Sequence, residues 1–99
     1  MNPSQFFSDF TELKKKLRER ISNNFRIKDY VTSPYNEWSY NVHKDSIYVS
    51  VERPFRCEYD EMFDCTFSVE DLQSDEAIDE CIRLRYREGR RDGEWFWCR

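Results

Sequence analysis

Histidine, glycine and proline are scarce in this chain, and long apolar runs are missing altogether. The only histidine is His43. A cysteine nucleophile or a mixed Cys/His zinc site would have to rely on that one imidazole. It stands beside a proposed turn, where an exposed histidine without a chemical role is the common case. No P-loop, GxGxxG or HExxH pattern occurs, so the phosphate loops and zinc helices that carry those signatures are not expected. Two glycines and three prolines point to regular elements joined by short connections. The opening residues MNPSQFFSDF reach charge at once. Neither a signal peptide nor a membrane span is expected, which implies a cytoplasmic protein with reduced thiols.

The four cysteines are separated by seven, fifteen and sixteen residues, which matches no CxxC pair. No metal, cofactor or catalytic residue is expected. Cysteines on or near apolar stripes act most simply as small buried hydrophobes. A Cys57–Cys65 bridge stays open for oxidising conditions. Hydrophobic residues are 38% of the chain, but aromatics are 17%, so a few large rings can supply much of the core. That aromatic content also argues against disorder despite 36% charged residues. One folded domain spanning residues 1–99 follows from the length.

Along the chain, residues 3–24 read as an amphipathic helix. Asn2 can cap it, Pro3 suits its first position, and Gln5 completes a capping-box pattern. Phe6, Phe10, Leu13, Leu17 and Ile21 recur at helical spacing, with Lys14, Lys15, Lys16, Arg18 and Arg20 mostly on the other side. The Asn23–Asn24 pair ends it. Residues 25–33 read as a loop, with a short extra strand as the alternative. Trp38, Tyr40 and Val42 then alternate with polar residues, Lys44–Asp45 suits a hairpin turn, and Ile47, Val49 and Val51 resume the apolar face opposite Tyr48 and Ser50. Pro54 should interrupt that strand. A polar turn near Asp60–Glu61 leads to a third strand with Phe63, Cys65, Phe67 and Val69. A second helix starts at Ser74, turns Ile78, Cys81, Ile82 and the stem of Arg85 inward, and stops at Gly89. The closing EWFWCR is a last strand or a docked aromatic tail. The expected class is α+β in the order α-β-β-β-α: an antiparallel sheet of three to four strands with helices on one face.

The net charge of −4 hides an asymmetry. Residues 1–51 carry +2, residues 52–80 carry −9, and residues 81–99 carry +3. Asp75 and Glu76 favour the positive end of a helix dipole. Asp75/Asp79 and Glu76/Glu80 are like-charge pairs four apart, which cost roughly 0.2–0.5 kcal/mol each. Helix stability therefore does not explain the whole cluster. Two readings remain: pairing with the arginines of residues 83–91, or an acidic face built for a basic partner.

The stretch CEYDEMFDC at 57–65 lacks the ligand spacing and central glycine of a calcium loop. Paired acids for glycoside cleavage need a cleft, and a small sandwich offers little room for one. An α-β-β-β-α order resembles the double-stranded-RNA-binding domain, whose second helix opens on a lysine cluster. Here that place reads SDEAIDE, which would repel phosphate, so direct nucleic-acid binding is disfavoured.

In size, charge and architecture the chain is similar to the small acidic inhibitors of bacteriophages, including anti-CRISPR proteins and other DNA mimics. That resemblance implies a non-enzymatic module covering the basic nucleic-acid-binding surface of a host enzyme. The contact residues would be Glu58, Asp60, Glu61, Asp64, Asp75, Glu76, Asp79 and Glu80, with Tyr59 and Met62 as apolar anchors. The alternatives are a homo-oligomeric or assembly subunit joined through aromatics (Phe6, Phe7, Phe10 or the EWFW tail), and a weak RNA binder.

Overall fold

The alternating runs pair into one antiparallel sheet. Strands β1 (Glu37–Val42), β2 (Ser46–Phe55) and β3 (Glu58–Ser68) lie in the order β1-β2-β3. Helix α1 (Phe10–Ser22) and a single turn, α2 (Lys28–Val31), precede the sheet, and α3 (Asp75–Arg91) follows it. The computed structural model describes residues 10–24, 27–31, 34–55 and 58–95, without the side chains of 29, 30, 54, 55 and 58–62. The fold is α+β with the main elements in the order α-β-β-β-α. Asn2, Pro3, Gln5, Phe6 and Phe7 lie outside the described residues.

Register explains where the core sits. Trp38, Val51 and Phe63 align across the strands, as do Tyr40, Val49 and Cys65, and then Val42, Ile47 and Phe67. Side chains two apart share a face, so these rows stack on one side of the sheet. The helices cover that side with Leu13, Leu17 and Ile21 from α1 and with Ile78, Ile82 and Tyr86 from α3, forming a single cluster. Each fully buried aliphatic or phenyl side chain contributes roughly 1.5–3 kcal/mol. Lys44 and Asp45 make the tight β1–β2 turn, closed by His43 N–H donating to the Ser46 carbonyl at 2.8 Å.

Several expectations are corrected. No turn occurs at Asp60–Glu61, which lie inside β3; the antiparallel pairing of β2 with β3 runs on to Phe55 and Glu58. The partner sequence shifts by one between Val51 and Glu52, so Met62 is the extra residue of a bulge. A bulge keeps a strand going where alternation alone suggests a break. Pro54 does not end β2, because β1 pairs no further than Glu52. Beyond that point β2 has a neighbour on one side only, and an edge tolerates a missing N–H. The described part of residues 25–33 is neither strand nor simply loop: Lys28–Val31 form a helical turn, and Ile27, just before it, and Val31 are fully buried. Ser50, expected on the solvent side, is buried.

Helix α3 begins as expected, with Ser74 Oγ accepting from the Ala77 N–H at 3.1 Å. Its end differs. Gly89 is inside the helix, and the stop is Gly93 at φ 74°. Glu94 N–H donates to the Gly89 carbonyl at 2.7 Å and Gly93 N–H to Arg90 at 3.2 Å, the paired closure of a Schellman motif. The chain then docks Trp95 into the core. Its Nε1–H donates to the Tyr86 carbonyl at 2.9 Å, and its ring lies 5.3 Å from that of Phe63. Among the described residues the tail is therefore a docked aromatic, not a strand. Residues 96–99 lie outside them.

Candidate functional site

Four of the five cations of α1 have partners within the molecule. Lys14 lies over the rings of Phe10 and Tyr40 at 5.3 and 5.0 Å, and Arg18 over Trp38 at 5.1 Å. The other flank of α1 faces α3. Lys16 reaches Asp75 at 3.2 Å, while Arg20 holds Asp75 at 2.7 Å and Asp79 at 3.2 Å. The expected arginines of residues 83–91 are thus not the partners of Asp75 and Asp79; α1 supplies them. Helix spacing puts 75 and 79 on one flank, which relieves their mutual repulsion through a shared guanidinium.

Protonation reflects this clamp. Hydrogen bonds from Arg20 and then Lys16 hold the Asp75 carboxyl below the usual carboxylate range. Arg85 lowers that of Glu94 in the same way. A depressed folded-state value means the contribution is present at neutral pH and is lost as pH falls through it. Acid titration of thermal unfolding from about pH 5 to about pH 2 should lower the midpoint, less steeply in Asp75→Asn. A variant as steep as the parent would remove Asp75 from that account.

The opposite flank of α3 overhangs the outer edge of β3. Between them lies an open groove of about 720 Å3, whose lining includes Tyr48, Asp64, Thr66, Asp71, Glu80, Cys81, Arg85, Glu88 and Glu94. Five of its lining residues are carboxylates and one is a guanidinium. Arg85 is the organising group. Its Nε donates to the Asp64 side chain at 2.9 Å and to the Asp64 carbonyl at 3.1 Å, and its Nη atoms reach both Glu94 oxygens at 2.9 Å. Its guanidinium also stacks 4.8 Å from the Trp95 ring. Tyr48 donates its hydroxyl to Asp64 at 2.9 Å. Asp71 is fixed by Ser68, whose N–H and hydroxyl both donate to it at 2.9 Å. Side chains from α3 also cover the strand edge, since Cys81 donates to the Thr66 carbonyl and Arg85 to that of Asp64.

The expected contact residues therefore fall in four places. Asp64 and Glu80 line the groove, where Asp71, Glu88 and Glu94 join them. Asp75 and Asp79 are on the α1 flank. Glu76 and Glu80 are exposed, Glu80 one turn before Leu84, and Leu84 and Tyr35 are the large apolar side chains left exposed among the described residues. Glu80 pairs with Arg83 one turn on, whereas Glu76 has no ion pair with a described residue. Glu58, Tyr59, Asp60, Glu61 and Met62 sit on the other half of β3, and their side chains are outside the description. Glu61 is five residues of strand, roughly 17 Å, from Thr66 beside α3. Register still shows a row there: Glu37, Glu52 and Glu61 are direct cross-strand partners, an arrangement that costs stability.

Sequence reasoning missed Asp71, Glu88 and Glu94 as neighbours of Asp64. The signal for Asp71 was the Ser68–Asp71 spacing of a capped turn. Glu88 was legible as three residues from Arg85; Glu94 was not, because only the Schellman turn brings it back. Exposed Glu88, Asp92 and Glu94 place carboxylate oxygens within 4.8 Å of one another, a grouping that surface acids commonly adopt. Among the described residues no helix is long and apolar enough to cross a membrane. The chain matches no protein-family model, no curated protein and no solved structure.

Proposed function

We propose that this protein is a non-enzymatic interaction module of the cytoplasm, a small acidic inhibitor of the phage anti-defence or DNA-mimic type. In this reading it covers the basic nucleic-acid-binding surface of an enzyme. The observation that supports it is the groove of α3 and β3, with five carboxylates to one guanidinium and the exposed Leu84 in its lining, while Glu76 is exposed on the same helix. Arginine or lysine side chains of a partner would enter the groove, and Leu84 would supply a desolvated anchor beside them. Complementary charge speeds encounter, and the apolar contact sets the lifetime.

The internal use of Lys14, Lys16, Arg18 and Arg20 weighs against RNA as the ligand, since those cations already have acidic or aromatic partners. Burial of Trp95 weighs against joining copies through that ring. The test is capture from a nuclease-treated bacterial lysate at low salt, followed by elution with rising salt or with added duplex DNA. A nucleic-acid-binding protein released by both is the expected result. A partner indifferent to salt and DNA would overturn the proposal.

A further inference from the structure

The two cysteines described in the structure meet across the α3–β3 interface. Cys65 projects from β3 into the core and is 1% exposed, while Cys81, on α3, is half-buried at the groove. Their Sγ atoms are 3.6 Å apart and both are free thiols. A disulfide needs about 2.0 Å, so small side-chain rotations on two neighbouring elements would close the gap. We infer that Cys65 and Cys81 are a modification site, a thiol pair that a low-molecular-weight disulfide converts to an intramolecular bridge tying α3 to β3.

Access sets the order of steps. Cys81 lines the groove, where a small disulfide can reach it. Cys65 is a poor first attacker: its thiol is held above its ordinary range by the hydrogen bond to Cys81 and by burial. The Cys81 thiolate attacks one sulfur of the small disulfide, whose S–S bond breaks, and the departing thiolate takes up the proton that Cys81 lost. Cys65 then attacks the Cys81 sulfur, the mixed disulfide breaks, and the second small thiol leaves with the proton of Cys65. Two protein thiols are oxidised and one small disulfide is reduced to two thiols. The bridge removes the S–H that Cys81 donates to the Thr66 carbonyl at 3.3 Å, which uncovers an acceptor on the β3 edge.

The experiment treats the reduced full-length chain with oxidised glutathione, blocks remaining thiols by alkylation, and maps peptides by mass spectrometry without reduction. Expected are a Cys65–Cys81 linked peptide, a chain about 2 Da lighter through the hydrogens carried off on the two small thiols, and a thermal midpoint higher by roughly 5–15 °C. Dithiothreitol should reverse all three. A stable glutathione adduct on Cys81 with Cys65 alkylated would overturn the inference. So would a link through Cys57 or Cys98 in its place, or no reaction. Repeating the work with Cys57→Ser/Cys98→Ser leaves one possible intramolecular pair, and failure to close it in the folded protein counts equally against the site.

Discussion

Gly89→Ala should lose about 2–4 kcal/mol of stability, seen as a fall of roughly 10–20 °C in the thermal midpoint. At an ordinary mid-helix position the same change gains about 1 kcal/mol, because alanine is the better helix former. The sign therefore separates the two accounts. A Cβ on Gly89 would lie 2.0 Å from Cε2 of Trp95 and 2.3 Å from both Cζ2 and Nε1. The ring cannot yield locally, since it is pinned to the Tyr86 carbonyl, to Phe63 and beneath the Arg85 guanidinium. It must leave its site or α3 must move. Non-additivity supplies the control: Trp95→Ala should cost a similar amount, and Gly89→Ala/Trp95→Ala no more than Trp95→Ala alone. An unchanged or raised midpoint for the single variant would contradict the packing described.

Arg85→Met should lose about 2–4 kcal/mol, although it keeps most of the aliphatic stem. The Arg85 side chain is 19% exposed and that of Asp64 is 15%, so removing the guanidinium strands a carboxylate with little water around it. Glu94 would lose its anchor as well, and with it the turn that delivers Trp95. Lysine should not rescue the site, because one ammonium cannot present the fork that meets Asp64 and Glu94 together. A cycle with Asp64→Asn should show coupling of about 1–3 kcal/mol. Chemical denaturation of the four proteins measures it, and additive losses would mean the pair is incidental.

These two sites also show what could be read from the chain and what could not. The alternation at Trp38–Val42 and Ile47–Val51 specified two strands and their inner face, since one residue of slip would turn every apolar side chain outward. Leu13, Leu17 and Ile21 specified the buried stripe of α1 because residues four apart share one face of a helix. Pro54 and Asp60–Glu61 depart from the local pattern because their context is tertiary: one depends on where β1 ends, the other on a bulge at Met62. Gly89 looks like a stop because it is a glycine near a helix end, while its purpose is to admit a ring six residues on. The spacing Ile78, Ile82, Tyr86, Gly89 was visible and marks the true inner face of α3.

The acidic cluster was legible as an excess of charge but not as separate surfaces. Nothing local says that Asp75 and Asp79 belong to Arg20 on another helix. Reversing all four helix acids would confuse folding with binding, because two of them clamp α1. Glu76 and Glu80 separate the questions, as both are exposed and neither reaches α1.

The decisive measurement is capture from one nuclease-treated lysate with the parent protein and with Glu76→Lys/Glu80→Lys, after circular dichroism has shown matching folds and midpoints. The account predicts that the salt-sensitive nucleic-acid-binding partner held by the parent is lost from the variant. Equal retention of that partner by both proteins would contradict the acidic face as the binding surface.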